Sequence, residues 1–293
     1  MSAPPPRPPK TDLVGRLVAQ VLELPPVRWL KPILDDYGAA GGGLLASGVA
    51  FNSLFAILPA ILLLISLLGF VLQNPARLEE IVNVLATEFP PLADFFRLAL
   101  AQFSAGALSF GLLGLVGLVW GSSRFYQSLD EAIARIFEGS PRRDPFQRGL
   151  RGVLSVVILI GAVLAVVYIV AWLDSVRSNL PVVSQFADIA RSVVGSALGT
   201  IVVFSVAIAI IYRIVPTRTP PWRAIRRPAL AVGLALAVLT GIFAVITPRL
   251  VGTLAVYGAF VAVFAAMIWL SYVAQAILVG AAWVHRRSSG EDQ

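Results

Sequence analysis

The sequence predicts an all-α, polytopic membrane protein with six transmembrane helices and amphipathic helices at the membrane interfaces. Three observations carry this. First, six stretches, 44–72, 106–122, 152–173, 192–212, 229–247 and 256–284, contain no Lys, Arg, Asp or Glu. A helix needs about 20 residues to cross a ~30 Å hydrocarbon core, and all six approach or exceed that, 106–122 being the shortest. One charge at the bilayer centre costs about 2.5–3.5 kcal/mol even on the lenient insertion scale. Second, only 13% of residues are charged and 58% are hydrophobic, with a mean hydropathy of +0.84, whereas a soluble domain carries about 25% charged residues to face water. Third, the positive charges fall on one side of the predicted spans.

That third observation fixes orientation. With the N-terminus in the cytoplasm, the inner segments hold Arg7, Lys10, Arg16, Arg28 and Lys31; Arg124, Arg135, Arg142, Arg143, Arg148 and Arg151; Arg213, Arg218, Arg223, Arg226 and Arg227; and Arg286 and Arg287. The outer loops keep only Arg77, Arg97, Arg177, Arg191 and Arg249, so 18 of the 23 basic residues lie inside. The inside excess predicts a multi-pass protein of the cytoplasmic (inner) membrane with both termini in the cytoplasm. It also accounts for the net charge of +7, and no nucleic-acid partner is expected.

The elements follow in order. Residues 1–43 form a cytoplasmic segment: a Pro-rich arm (MSAPPPRPPK), then an amphipathic helix over 11–24 whose Leu13, Val14, Leu17, Val18 and Val21 recur at helical spacing. Pro25-Pro26 ends it, and Trp29, Lys31 and Tyr37 are placed to anchor at headgroup level. No cleavable signal peptide is expected in this segment. Residues 44–284 form one six-span membrane domain, and 285–293 a cytoplasmic tail. The first outer loop, 73–105, carries two apolar stripes: Leu78, Ile81, Val82, Leu85 and Phe89, then, after Pro90-Pro91, Leu92, Phe95, Phe96, Ala99, Leu100 and Phe103. Two short amphipathic helices fit, either flat on the outer leaflet or capping the spans; periodicity alone does not choose. Span 2 bears Gly111, Gly114, Gly117 and Gly121, and span 4 bears Gly195 and Gly199, the small-residue spacing through which membrane helices approach closely.

Several chemistries are excluded. There is no cysteine, so there are no disulfides or thiolate metal sites, and the single histidine, His285, lies beyond the last span. The loop carboxylates form no convincing pair, and no phosphate-binding glycine loop occurs. No catalytic residue, metal site or cofactor is expected, and the chain is not expected to be an enzyme.

The polar residues inside the spans are the candidate site. Span 1 places Asn52, Ser53 and Pro59 in hydrocarbon. Pro59 removes one backbone hydrogen bond, kinks the helix and strands a carbonyl near Phe55. Asn52 lies about two turns before it on a similar face. Span 6 offers Ser271 and Gln275, an i, i+4 pair on one face. These five residues are candidates for a polar cleft between spans 1 and 6. In the second inner loop, Asp130, Glu131, Arg135 and Glu138 are spaced for solvated ion pairs, and Arg142, Arg143, Arg148 and Arg151 crowd the membrane boundary as candidate contacts for anionic lipid headgroups.

Four segments carry a family resemblance: ASGVAFNSLFAILPAILLL (46–64), WGSSRFYQSLDEAIARIF (120–137), YRIVPTRTPPWRA (212–224) and YGAFVAVFAAMIWLSYVAQAILVGAAWV (257–284). In order and spacing they resemble the YihY/BrkB family of bacterial inner-membrane proteins over roughly residues 30–285, with Tyr212, Arg213, Pro216, Trp222, Tyr257 and Gly258 at its motif positions. The family often has Tyr at the position of Asn52, Ser at Ala56, Asn at Thr217 and Glu at Ala282. The resemblance implies a six-span inner-membrane protein with envelope-related roles, lipid handling among them. Part of the family carries an old ribonuclease label, generally regarded as misassigned, and these residues supply no nuclease site.

The reading is a non-enzymatic transport or lipid-handling protein of the cell envelope, with membrane lipids as partners. A structural or partner-binding envelope protein is the alternative, and a membrane-bound ribonuclease a remote third. The small-residue stripes leave room for a homo-oligomer.

Overall fold

The computed structural model describes residues 25–72, 74–104, 108–137, 146–147, 150–154, 197–217, 219–253 and 259–290. Every regular element among them is helical: α1 (Pro25–Ala39), α2 (Gly42–Leu72), α3 (Pro75–Glu88), a 3-10 turn (Pro90–Leu92), α4 (Ala93–Ser104), α5 (Leu108–Ile136), α6 (Ala197–Ile214), α7 (Trp222–Thr253) and α8 (Ala259–Ser289). The predicted helix over 11–24 and the third span beyond Leu154 lie outside the described residues.

Pro25-Pro26, expected to end a helix that lies outside the described residues, begins α1. A proline suits the first helical turn, where its fixed φ is helical and its missing N–H has no partner to lose. The resulting α1 packs on α8: the Trp29 and Trp283 rings meet edge to face at 4.5 Å, and Arg286 Nη1 donates to Asp36 Oδ2 at 2.9 Å. Residues 25–39 are therefore clasped to the last helix. A corner at Gly41, whose φ of 70° favours glycine, turns the chain into α2.

Helix α2 runs unbroken through Pro59 for 31 residues, about 46 Å at 1.5 Å per residue. It lies between α5 and α8; α8 also packs on α7, and α7 on α6. The side chains facing inward, among them Ile65, Leu68, Ile133 and Leu278, are fully buried. The outward stripes are apolar as well: Leu230, Leu234, Val238, Ile242 and Val245 along α7, and Leu198, Val202 and Val206 along α6, are all exposed. A helix facing water turns charged residues outward. Three helices, Gly42–Phe70, Trp222–Thr247 and Val263–Ser289, are long and apolar enough to cross a membrane, and Leu198–Ile214 is a shorter apolar helix. Such surfaces suit lipid, and the chain is a membrane protein.

The segment 74–104 forms a cap on the bundle. Asn74 opens α3, its side-chain oxygen accepting from the backbone N–H groups of Ala76 and Arg77. The two predicted stripes are the buried faces of α3 and α4: Leu78, Val82, Leu92, Phe96 and Ala99 are all buried. They are covered by protein, since α3 and α4 pack on α2 and the 3-10 turn packs on α7 and α8. Phe89 locks this corner, edge-on to Phe204 at 6.4 Å and to Trp269 at 6.3 Å. The bundle thus has a cap end, and an opposite end where both described termini and most of the described arginines gather.

Helix α5 continues straight from apolar sequence into the charged block. Glu131 and Arg135 make the expected exposed i, i+4 pair at 2.8 Å. Asp130 departs from expectation: it is buried, 5% exposed, because α5 still presents Leu129, Ala132, Ile133 and Ile136 to the core at this level. Phe137, just past its end, packs against His285 with ring centroids 5.0 Å apart.

Candidate functional site

Pro59 has no N–H, so the Phe55 carbonyl one turn earlier loses its helical partner. The structure shows where that carbonyl goes. Gly121 of α5 sits directly on it, so close that a Cβ at Gly121 would overlap the Phe55 carbonyl group. Only glycine at 121 lets the two backbones approach this closely. One turn earlier along α5, Gly117 makes room for the proline ring, whose Cγ would lie 2.9 Å from an added Cβ. At the other end of the seam a Cβ at Gly48 would lie 3.9 Å from Ser128 Oγ. The Gly117–Gly121 spacing thus receives the proline-bearing segment of its antiparallel neighbour.

The polar residues of span 1 turn inward on their own helix. Asn52 Nδ2 donates to the Gly48 carbonyl at 2.9 Å and Ser53 Oγ to the Ala50 carbonyl at 2.7 Å. On α8, Gln275 Nε2 donates to Ser271 Oγ at 3.3 Å. The hydrogen bonds of Asn52 and Ser53 thus stay within α2 and that of Gln275 within α8, although the two helices pack together. With its described bond made locally, Asn52 can be replaced at low cost: Asn52→Leu should change thermal stability by less than about 1 kcal/mol, as measured by unfolding of the purified protein.

The motif between α6 and α7 closes on itself. Arg213 Nη1 donates to the Pro220 carbonyl at 2.6 Å, and its guanidinium lies 5.5 Å over the Trp222 ring. Pro216 is buried within the same turn. Tyr212 is fully buried, and its hydroxyl donates to the Ile277 carbonyl of α8 at 2.7 Å. Gly280 admits that ring: a Cβ there would strike the Tyr212 hydroxyl and Val232 of α7. Tyr212→Phe should therefore lower stability by about 1 kcal/mol, the ordinary value of one buried hydrogen bond, read as a lower melting temperature. Tyr257 and Gly258 lie outside the described residues.

Of the four candidate headgroup arginines, Arg151 is exposed in the short helical segment 150–154, while Arg142, Arg143 and Arg148 lie outside the described residues. That segment packs on α5, for a Cβ at Gly152 would meet the Ser122 carbonyl oxygen at 2.5 Å and Tyr126 Cβ at 2.7 Å.

Sequence reasoning missed the contacts that join distant segments. At the arginine-rich end these include Asp36 with Arg286 and Trp29 with Trp283. Tyr37, whose ring lies where a Gly42 side chain would go, has its hydroxyl buried, and desolvation pushes its pKa above the ordinary tyrosine value. On the outer edge of the α2–α5 seam, Phe51 meets Phe55 edge to face at 5.0 Å and Phe55 meets Trp120 at 5.5 Å. Arg124 completes the row, its guanidinium 5.9 Å from the Trp120 ring centroid. Arginine, aromatic and amide groups are suited to holding anions and hydrocarbon.

No curated protein and no solved structure matches the chain. A family model described as virulence factor BrkB matches residues 33–293. That match runs from within α1, through the capped hairpin and the closed α6–α7 turn, to the last residue, and on this ground the chain belongs to the virulence factor BrkB family.

Proposed function

We propose that this is a six-span protein of the cytoplasmic membrane, both termini inside, that handles lipid and catalyses no reaction. The observation that supports lipid over a water-soluble solute is the α2–α5 seam. Its exposed aromatic row lies at the side of the bundle, next to the packed proline and glycines, where the proposed neighbouring medium is the bilayer. A lipid reaches such an edge by lateral diffusion, with no aqueous entrance. The arginine-rich end is the cytoplasmic end, and the cap lies outside.

Three measurements test this. Reporter fusions after Gly290 and within 174–190 should report cytoplasm and exterior respectively, and the reverse at either site overturns the topology. For the activity, the purified chain is reconstituted in vesicles carrying headgroup-labelled phosphatidylglycerol. Its presence should speed exchange of label between leaflets or between vesicles well above protein-free vesicles. Rates equal to the protein-free control would remove the lipid-handling reading. The purified protein should also leave precursor tRNA intact with divalent metals present; cleavage that co-elutes with the monodisperse protein would restore the ribonuclease reading.

One observation favours a partner-binding role instead. The outer face of α3 carries a shallow depression lined by Glu79, Glu80, Asn83 and Thr87, turned away from the bundle. A protein acting only as a scaffold would move no lipid, yet would lose its cellular phenotype on substitution of these four residues.

A further inference from the structure

The row Phe51, Phe55, Trp120 and Arg124 stands on the bundle surface, with Phe51 at 52%, Phe55 at 38% and Trp120 at 53% exposure. Lipid-facing aromatic residues are common as interface anchors. These rings differ in being one continuous edge-to-face chain that crosses between two helices and ends beneath a guanidinium. The seam register fixes their heights. Gly121 meets the Phe55 carbonyl and Gly48 lies opposite Ser128, so Phe55 and Trp120 stand about one turn deeper from the arginine-rich end than Phe51 and Arg124. Arg124 is also the first charge after the apolar stretch 106–122, and among the described residues no carboxylate pairs with it. A cation at the boundary above a hydrocarbon-facing platform is complementary to a molecule with an anionic head and apolar chains.

We propose that this edge of the α2–α5 seam binds an anionic phospholipid of the cytoplasmic leaflet. Arg124 takes the phosphate, and Phe51, Phe55 and Trp120 hold the glycerol end and the first part of an acyl chain. Stacking on Trp120 restrains the guanidinium beforehand and leaves its N–H edge for phosphate oxygens. Neutral lipid can occupy the same platform but gains nothing from the cation. The proposal deepens the lipid-handling reading and rests on it for biological meaning, while binding is measured separately from lipid movement.

The test uses the full chain in nanodiscs of mixed phosphatidylglycerol and phosphatidylcholine, with a trace of either lipid carrying a photoactivatable group on its acyl chain. Cross-links from the phosphatidylglycerol probe should map to peptides containing Phe51, Phe55 and Trp120. Unlabelled phosphatidylglycerol should compete better than phosphatidylcholine by about fivefold, the equivalent of about 1 kcal/mol for one basic residue at an anionic surface. Arg124→Gln should abolish that preference, Arg124→Lys should keep part of it, and Arg135→Gln, which removes an exposed arginine farther along α5, should leave it intact. Equal competition by the two lipids in the wild-type protein overturns the proposal without need of any variant, as does full preference in a folded Arg124→Gln protein. Selective binding without lipid movement would sink only the functional reading; movement without selective binding would sink only this site.

Discussion

Gly121→Val should prevent the α2–α5 pair from closing. The new side chain would land on the Phe55 carbonyl and the adjoining Ala56 nitrogen, all backbone atoms that no rotamer change can move aside. Overpacking a tight interior costs about 1–3 kcal/mol when side chains can yield, and here the helices themselves must part. The loss should reach or exceed the upper end of that range, seen as a sharply lowered melting temperature or as failure to obtain monodisperse protein. Gly48→Ala provides the internal control on the same seam. Its Cβ would meet only Ser128 Oγ at an ordinary 3.9 Å, so its stability should stay near wild type. A Gly121→Val protein that melts with the wild type would mean that the seam is not packed as described.

Val82→Lys should release the cap. Val82 is completely buried in α3, and a lone ammonium placed there must leave the interior or lose several kcal/mol of hydration. Opening the α3–α4 hairpin is the cheapest escape, because it frees the charge while α2, α7 and α8 keep their mutual contacts. Limited proteolysis should then cut within 73–107 at a rate well above wild type, with the bundle still folded. Val84→Lys, at a position 56% exposed on the same helix, should leave the cap protected. Equal protection in both variants would mean the cap is not held by its buried face.

Helix identity was legible from charge-free windows, because lipid imposes its rule on every residue of a span. The cap's two stripes were legible for the same local reason: Leu78 to Phe89 and Leu92 to Leu100 repeat at helical spacing. Their destination was not, since periodicity shows that a face is buried without saying what buries it. Helix α1 was missed because Pro25-Pro26 reads equally as a stop and as a start, and only the docking of Trp29 on Trp283 favours the start. Asp130 was misread because a charge beyond an apolar window suggests solvent, while the core continues past the window along Leu129 and Ile133. The cleft residues were chosen for polarity, yet Asn52 and Ser53 satisfy themselves one turn back on α2. Resemblance pointed to Tyr212, Arg213 and Trp222, but their bonds to Ile277 and Pro220 and their stacking depend on how α6, α7 and α8 lie together.

The clasp between Asp36 and Arg286 joins residues 250 apart in the chain. During synthesis at roughly 5–20 residues per second, the first partner waits on the order of 10–50 s for the second to be made. Until then α1 lacks both the Trp283 ring and the Arg286 guanidinium that hold it in the folded chain. Docking of α1 is therefore a late step of folding, open only once α8 has been made. A product stalled before α8 would leave α1 without that partner, and limited proteolysis should cut it faster than in the finished chain.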